Sequence, residues 1–84
     1  MRREKRSLSL HGHRTSVALE TSFWAVVDAQ ALRQERSLAS LLAEIDDRRI
    51  LEKSSLGLAA YLRCWALELV QENARAMTWA HIRD

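Results

Sequence analysis

Proline is absent, cysteine occurs once, glycine occurs twice, and aromatic residues make up only 6% of the 84 residues. One cysteine, Cys64, excludes an intrachain disulfide framework and suits a reducing compartment. No apolar run approaches the roughly 20 residues of a membrane-spanning helix, so no membrane contact is expected. The opening Met-Arg-Arg-Glu-Lys-Arg imitates the charged region of a signal peptide, but Ser-Leu-Ser-Leu after it is too short and polar for the apolar segment. A cytoplasmic location is the expectation. There is no glycine-rich phosphate loop and no Ser-His-Asp set, and Asp46 and Asp47, being adjacent, would point to different faces of a helix. Neither an enzyme nor a bound cofactor is expected. His11 and His13 stand two apart with Cys64 and His81 elsewhere, too few ligands at recognised spacings for a metal site. The two histidines read as turn residues or phosphate contacts. Cys64, beside Trp65, reads as a buried structural thiol.

What is present is 48% apolar residues and an uneven charge. The chain makes one small domain, for which oligomerisation is a natural supplement to a limited core. Residues 1–14 hold five basic side chains (Arg2, Arg3, Lys5, Arg6, Arg14) against Glu4, whereas the other 70 hold eight basic against ten acidic. A basic arm on a mildly acidic body is the asymmetry of a chain that meets phosphate. The organisation expected is a basic arm over 1–13, a folded domain over 14–73 and a tail over 74–84.

Thr15, Val17 and Leu19 alternate with Arg14, Ser16 and Ala18, the period of a half-buried strand. Leu8 and Leu10 alternate with Ser7 and Ser9, so a weaker extended piece precedes a bend at Gly12. After Leu19 the period becomes helical. Phe23, Val26, Val27 and Ala31 form an apolar stripe, with Glu20 or Thr21 as cap and Thr21 the better type. Ser37 caps a second helix, whose stripe is Leu38, Leu41, Leu42 and Ile45 and which ends near Asp46–Arg49. The connector 50–55 has neither glycine nor proline, so that helix can run on. Ser54 or Ser55 caps a third, with Leu58, Tyr61, Leu62, Trp65 and Leu69 on one face to about Asn73.

A lone strand leaves its backbone donors and acceptors unpaired, and no second strong strand follows. The economical expectation is that it pairs with its own copy from another chain. Such a two-stranded ribbon fits the major groove of DNA.

The order strand, helix, capped turn, helix in about 40 residues resembles the ribbon-helix-helix (MetJ/Arc-type) DNA-binding family. Lys5-Arg6-Ser7-Leu8-Ser9-Leu10, Gly12-His13-Arg14-Thr15-Ser16-Val17, Leu19-Glu20, Phe23-Trp24, Ser37-Leu38 and Ala43-Glu44-Ile45-Asp46 are similar to a bacterial subfamily with the Gly-His-Arg-Thr-Ser-Val signature. The resemblance implies a mostly α fold, with one short strand, two helices and a third C-terminal helix, as an intertwined homodimer with an intersubunit antiparallel ribbon. It implies base contacts from the outward Arg14, Ser16 and Ala18. Phosphate contacts are expected from Arg2, Arg3, Lys5, Arg6 and His13, and at the second helix from Arg36 and the amides of Ser37 and Leu38. A shared dimer core would hold Val17, Leu19, Phe23, Val27, Leu38, Leu42 and Ile45. The implied function is a transcriptional regulator, a repressor by expectation, whose partner is double-stranded DNA. The alternative is an antitoxin-like or scaffold module whose third helix and tail (Met77, Trp79, Ile82) recruit a protein partner. Three differences from the family pattern stand out: Ala18 at a usually polar reading position, Glu35 where a glycine commonly makes the turn, and a connector after Asp46 longer than the plain two-helix family needs, which implies the third helix.

Overall fold

The computed structural model describes residues 2–83, with side chains through Met77; Trp79, His81 and Ile82 lie beyond the described side chains. Strands β1 (Arg3–Leu10) and β2 (His13–Glu20) are followed by helices α1 (Thr21–Arg33), α2 (Leu38–Leu51) and α3 (Leu58–Arg83). The two strands form one antiparallel hairpin, running from Arg3 opposite Glu20 to Leu10 opposite His13.

This corrects the expectation of a lone strand: residues 14–19 pair with β1 of their own chain along one edge of β2. The partner strand comes before β2, not after it, inside the stretch expected to be a basic arm with a weaker extended piece. His11 (φ 54°) and Gly12 (φ 79°) form the two-residue connection. Positive φ at both central residues is what a type I′ turn needs, and that turn matches the right-handed twist of the flanking strands. Glycine adopts it freely, and histidine is among the residues enriched there.

The hairpin's inner face carries Leu8 and Leu10 from β1 and Thr15, Val17 and Leu19 from β2, with Leu10, Val17 and Leu19 buried. Towards the other end of β1 that face becomes charged. Arg6 sits over the Trp24 ring, 4.4 Å from its centroid, and donates to Asp28 at 2.8 and 3.0 Å and to Glu4. Trp24 Nε1 donates to the Glu4 carbonyl at 2.8 Å. A strand reading Arg-Glu-Lys-Arg can thus face a core, because tryptophan supplies both an aromatic surface and a donor.

The core consists of Leu10, Val17, Leu19, Trp24, Val27, Ala31, Leu41, Leu42, Ile45 and Leu62, with Phe23, Leu38, Tyr61 and Trp65 partly buried against it. Val17, Leu19, Val27, Leu42 and Ile45, expected between two chains, are therefore shielded within one. The α1 stripe is also rotated from its expected position: Trp24, Val27 and Ala31 are buried, while Phe23 and Val26 lie at its border. Cys64 is exposed, contrary to expectation, because it falls outside the Leu58–Tyr61–Leu62–Trp65–Leu69 face of α3.

Helix ends follow backbone chemistry. Glu20 rather than Thr21 is the α1 N-cap, and its side chain makes no capping bond. Ser37 caps α2, its Oγ accepting from Ser40 N at 3.0 Å. Both α1 and α2 end in the same double-bonded motif. Arg36 N donates to Ala31 O and Glu35 N to Leu32 O; Ser54 N donates to Arg49 O and Lys53 N to Ile50 O. Each motif needs one left-handed residue, supplied by Glu35 and Lys53, both at φ 53°. Helix α2 runs past Ile45 to Leu51, helped by the Arg49–Asp46 ion pair at 2.8 Å and by basic residues in its last turn. The expected serine cap on α3 is not used. Ser54 Oγ accepts from Leu56 N, and α3 begins with Tyr61 N donating to Gly57 O at 2.9 Å. It then continues through the expected tail to Arg83.

A left-handed conformation costs a non-glycine residue about 1–2 kcal/mol, part of which glycine returns through its more flexible unfolded chain. Glu35→Gly and Lys53→Gly are therefore each expected to stabilise by about 0.5–1 kcal/mol and to raise the thermal midpoint by a few degrees. An unchanged or lower midpoint by calorimetry would show that these turns carry no strain. Leu42→Asp places an unpaired charge in the core and is expected to abolish the helical circular-dichroism signal at 25 °C.

Candidate nucleic-acid interface

Alternation that buries one face of the hairpin exposes the other. Its outward pairs are Arg3 with Glu20, Lys5 with Ala18, Ser7 with Ser16, and Ser9 with Arg14. Arg14 and Ser16 are exposed and Ala18 is half-buried, so the three expected base contacts share one outward face. Ser16 Oγ lies 3.3 Å from Ser7 Oγ across the pair. Among the described residues, Arg2, Lys5 and Arg14 enter no ion pair, which leaves three cations available at this end of the molecule.

The one acid on this face is neutralised from within. Glu20 Oε1 accepts from Arg63 Nε at 2.8 Å and Oε2 from Arg63 Nη2 at 3.3 Å, with Arg3 at 3.6 Å. The Arg63 bond, then Glu20's own backbone bond, then the charges of Arg63 and Arg3 hold its carboxyl at about 2. Arg63 also lies over the Ala18 carbonyl at 3.5 Å. Sequence reading missed this clamp, since 43 residues separate its two partners.

The remaining expected phosphate contacts divide. Arg2, Arg3, Lys5 and His13 are exposed at the hairpin. Arg6 is not available: it faces inward, and its bonds to Asp28 and then Glu4 push its pKa further up. Arg36 is likewise committed, donating to Ser40 Oγ at 2.8 Å and to its carbonyl at 2.9 Å and pairing with Glu44 at 3.2 Å. Both are thus engaged by acidic side chains of their own chain. Ser37 and Leu38 do stand at the start of α2, whose first turn holds no acidic residue. The Ser37 hydroxyl takes the Ser40 amide, and the preceding amides are among those a helix leaves without an internal acceptor.

His11 is turned away from this face. Its Nε2 lies 3.1 Å from Asp47 and 3.6 Å from Asp46, so the two carboxylates expected on separate faces both reach it. They fasten the hairpin turn to α2. No group of three or more potential metal ligands occurs among the described residues, and no helix among them is long and apolar enough to cross a membrane.

The ribbon-helix-helix domain model matches residues 3–70. This chain belongs to the ribbon-helix-helix domain family. Its match begins at the first residue of β1, so the hairpin lies inside the matched region. Among solved structures, an uncharacterized protein from Bordetella pertussis Tohama I is similar, with 30% identity and a TM-score of 0.71. The alignment covers 88% of this chain and 62% of that one, so this chain spans less than two thirds of its length. None of the curated proteins matches.

A carboxylate whose pKa is depressed in the fold adds stability above its ordinary value of 4.5, and loses it as pH falls towards about 2. Wild-type stability is expected to decline over that acid window more steeply than that of Glu20→Gln, which lacks the titrating group. Urea unfolding at several pH values measures the two slopes; equal slopes would remove the Arg63–Glu20 clamp from the acid response.

Proposed function

We propose that this ribbon-helix-helix protein is a sequence-specific, DNA-binding transcriptional regulator, acting as a repressor by occupying operator DNA as a homodimer. The observation that carries this reading is the outward face of the hairpin, a two-stranded ribbon with free cations beside hydroxyls. A ribbon of this kind fits the major groove, where Arg14 can donate a bidentate pair to guanine O6 and N7. Ser16 can donate or accept, and Ala18 can touch a thymine methyl. Arg2, Arg3 and His13 reach backbone phosphates, and the start of α2 at Ser37 and Leu38 offers a second anchor through its amides and dipole. The family includes DNA-binding regulators, generally dimeric, and antitoxins. Leu32, Ile50, Leu51, Leu67 and Val70 leave apolar surface for a second copy. A cytoplasmic location and the lack of enzymatic activity belong to the same reading.

One observation favours the alternative, an antitoxin-like or scaffold module. Leu67, Val70 and Met77 are exposed at helical spacing along one face of α3, which a protein partner could cover.

Losing a bidentate guanine contact costs about 1–3 kcal/mol. Arg14→Ala is therefore expected to weaken binding to a DNA sequence selected from a random pool by about 5- to 150-fold. It should leave the circular-dichroism spectrum unchanged, and wild-type affinity should fall steeply with salt. Fluorescence anisotropy measures both. Equal affinity of the variant, or no selected sequence at all, would count against DNA reading and favour the protein-interaction module.

A further inference from the structure

We propose, resting on the homodimer of the reading above, that α3 carries a second self-association surface. The seam Leu67–Val70–Ala74–Met77 packs against the same seam of a second copy and joins the two chains beyond their strands. Three observations carry this.

The first is spacing. Steps of three, four and three residues are the heptad pattern of a helix that pairs with another helix. Leu67, Val70 and Met77 are 53%, 46% and 75% exposed, and Ala74 between them is exposed too. No residue from Val70 to Met77 is buried, so this half of α3 stands clear of its own body. The Cα radius of gyration is 14.2 Å, against about 12 Å for a compact chain of this length. A helix is held in water mainly by the packing of one face, and here that packing must come from outside the chain.

The second is direction. At 3.6 residues per turn, the four seam positions fall within about 40° either side of Arg63. Arg63 Nε donates to Glu20, and its Nη2 reaches the Ala18 carbonyl. The bond from Thr21 N to Arg2 O puts the odd-numbered residues of β2 in the hydrogen-bonded pairs with β1. Arg14, Ser16 and Ala18 therefore turn their backbone groups to the outer edge of β2, which no strand covers among the described residues. The seam continues along the flank of that open edge. A second copy seated there on a two-fold axis meets edge and seam together, each with its own counterpart.

The third is charge. In a helix pair the residues beside the seam set the choice of partner through their charges. Here those places hold Gln71 and Asn73, both neutral. Glu68, Glu72 and Arg75 project about 120–180° away from the direction of Arg63. Like charges therefore do not meet when two copies of the seam pair, and no charge beside it selects a different protein. So short a seam does not hold two chains alone. In a dimer already joined elsewhere, the local concentration of one seam beside the other is high enough.

The test is sedimentation equilibrium of the full chain, comparing wild type with Val70→Glu/Met77→Glu and with the apolar control Val70→Leu/Met77→Leu. Both positions are exposed, so each variant keeps the fold, checked by circular dichroism. The double glutamate is expected to weaken self-association at least tenfold, and the double leucine to match or exceed wild type. In mixed labelled and unlabelled wild type, the Met77 methyl group should show Overhauser contacts to seam side chains of the other chain. A wild-type dimer that lacks these contacts, or whose dissociation constant the double glutamate leaves unchanged, would overturn seam pairing. The homodimer would then stand, and the face would be left to a different protein. A wild-type chain that is monomeric throughout would overturn the homodimer, and the seam with it.

Discussion

Two antiparallel strands joined by only two residues must turn within a twist that ordinary L residues resist. His11 and Gly12 meet the demand by both taking positive φ, and the rest of the structure depends on it. Once the turn closes, Leu10 faces His13 and the register is set back to Arg3 opposite Glu20. That register puts Val17 and Leu19 against the helices and leaves Arg14, Ser16 and Ala18 on the other side. The turn is also fastened from below, where Asp46 and Asp47 of α2 hold His11.

The same pairing explains why a strongly basic segment is folded and not free. Lys5 alternates outward, whereas Arg6 alternates inward and lands on Trp24 with Asp28 within 2.8 Å. Trp24 is 1% exposed and bonded through its indole nitrogen to the β1 backbone. Charge in this chain is thus sorted by strand parity. The inner-face Arg6 is absorbed by α1, whereas the outer-face Lys5 and Arg14 enter no ion pair among the described residues. Glu20, the acid on their face, is held by Arg63.

Much of this was legible in the sequence. Serine at position 37 followed by apolar residues at helical spacing fixed the start of α2, and alternation from Arg14 to Leu19 fixed β2 and its outward side chains. The α3 stripe from Leu58 to Leu69 was equally plain. β1 was only half legible. Ser7 to Leu10 alternates, but Arg3 to Arg6 carries no apolar signal, because its inner face is completed by a tryptophan twenty residues on in the chain. The sequence consequently displays β2 but not the strand β1 that pairs with it in the same chain. Trp24 is missing from the expected α1 stripe for the same reason: only the hairpin above it shows which way α1 is rolled. Glu35 carried a readable signal, since a turn that commonly uses glycine had to be made by a left-handed glutamate, as it is at φ 53°. The Arg63–Glu20 clamp carried none, being a tertiary contact between single charges.

The most direct measurement is an isotope-filtered nuclear Overhauser experiment on an equal mixture of labelled and unlabelled protein. Close α-proton contacts between Ser7 and Ser16, and between Ser9 and Arg14, are expected within the labelled chain, with none between labelled and unlabelled chains. The same contacts crossing from a labelled chain to an unlabelled one would show that β1 and β2 come from different molecules, and would contradict a hairpin closed within one chain.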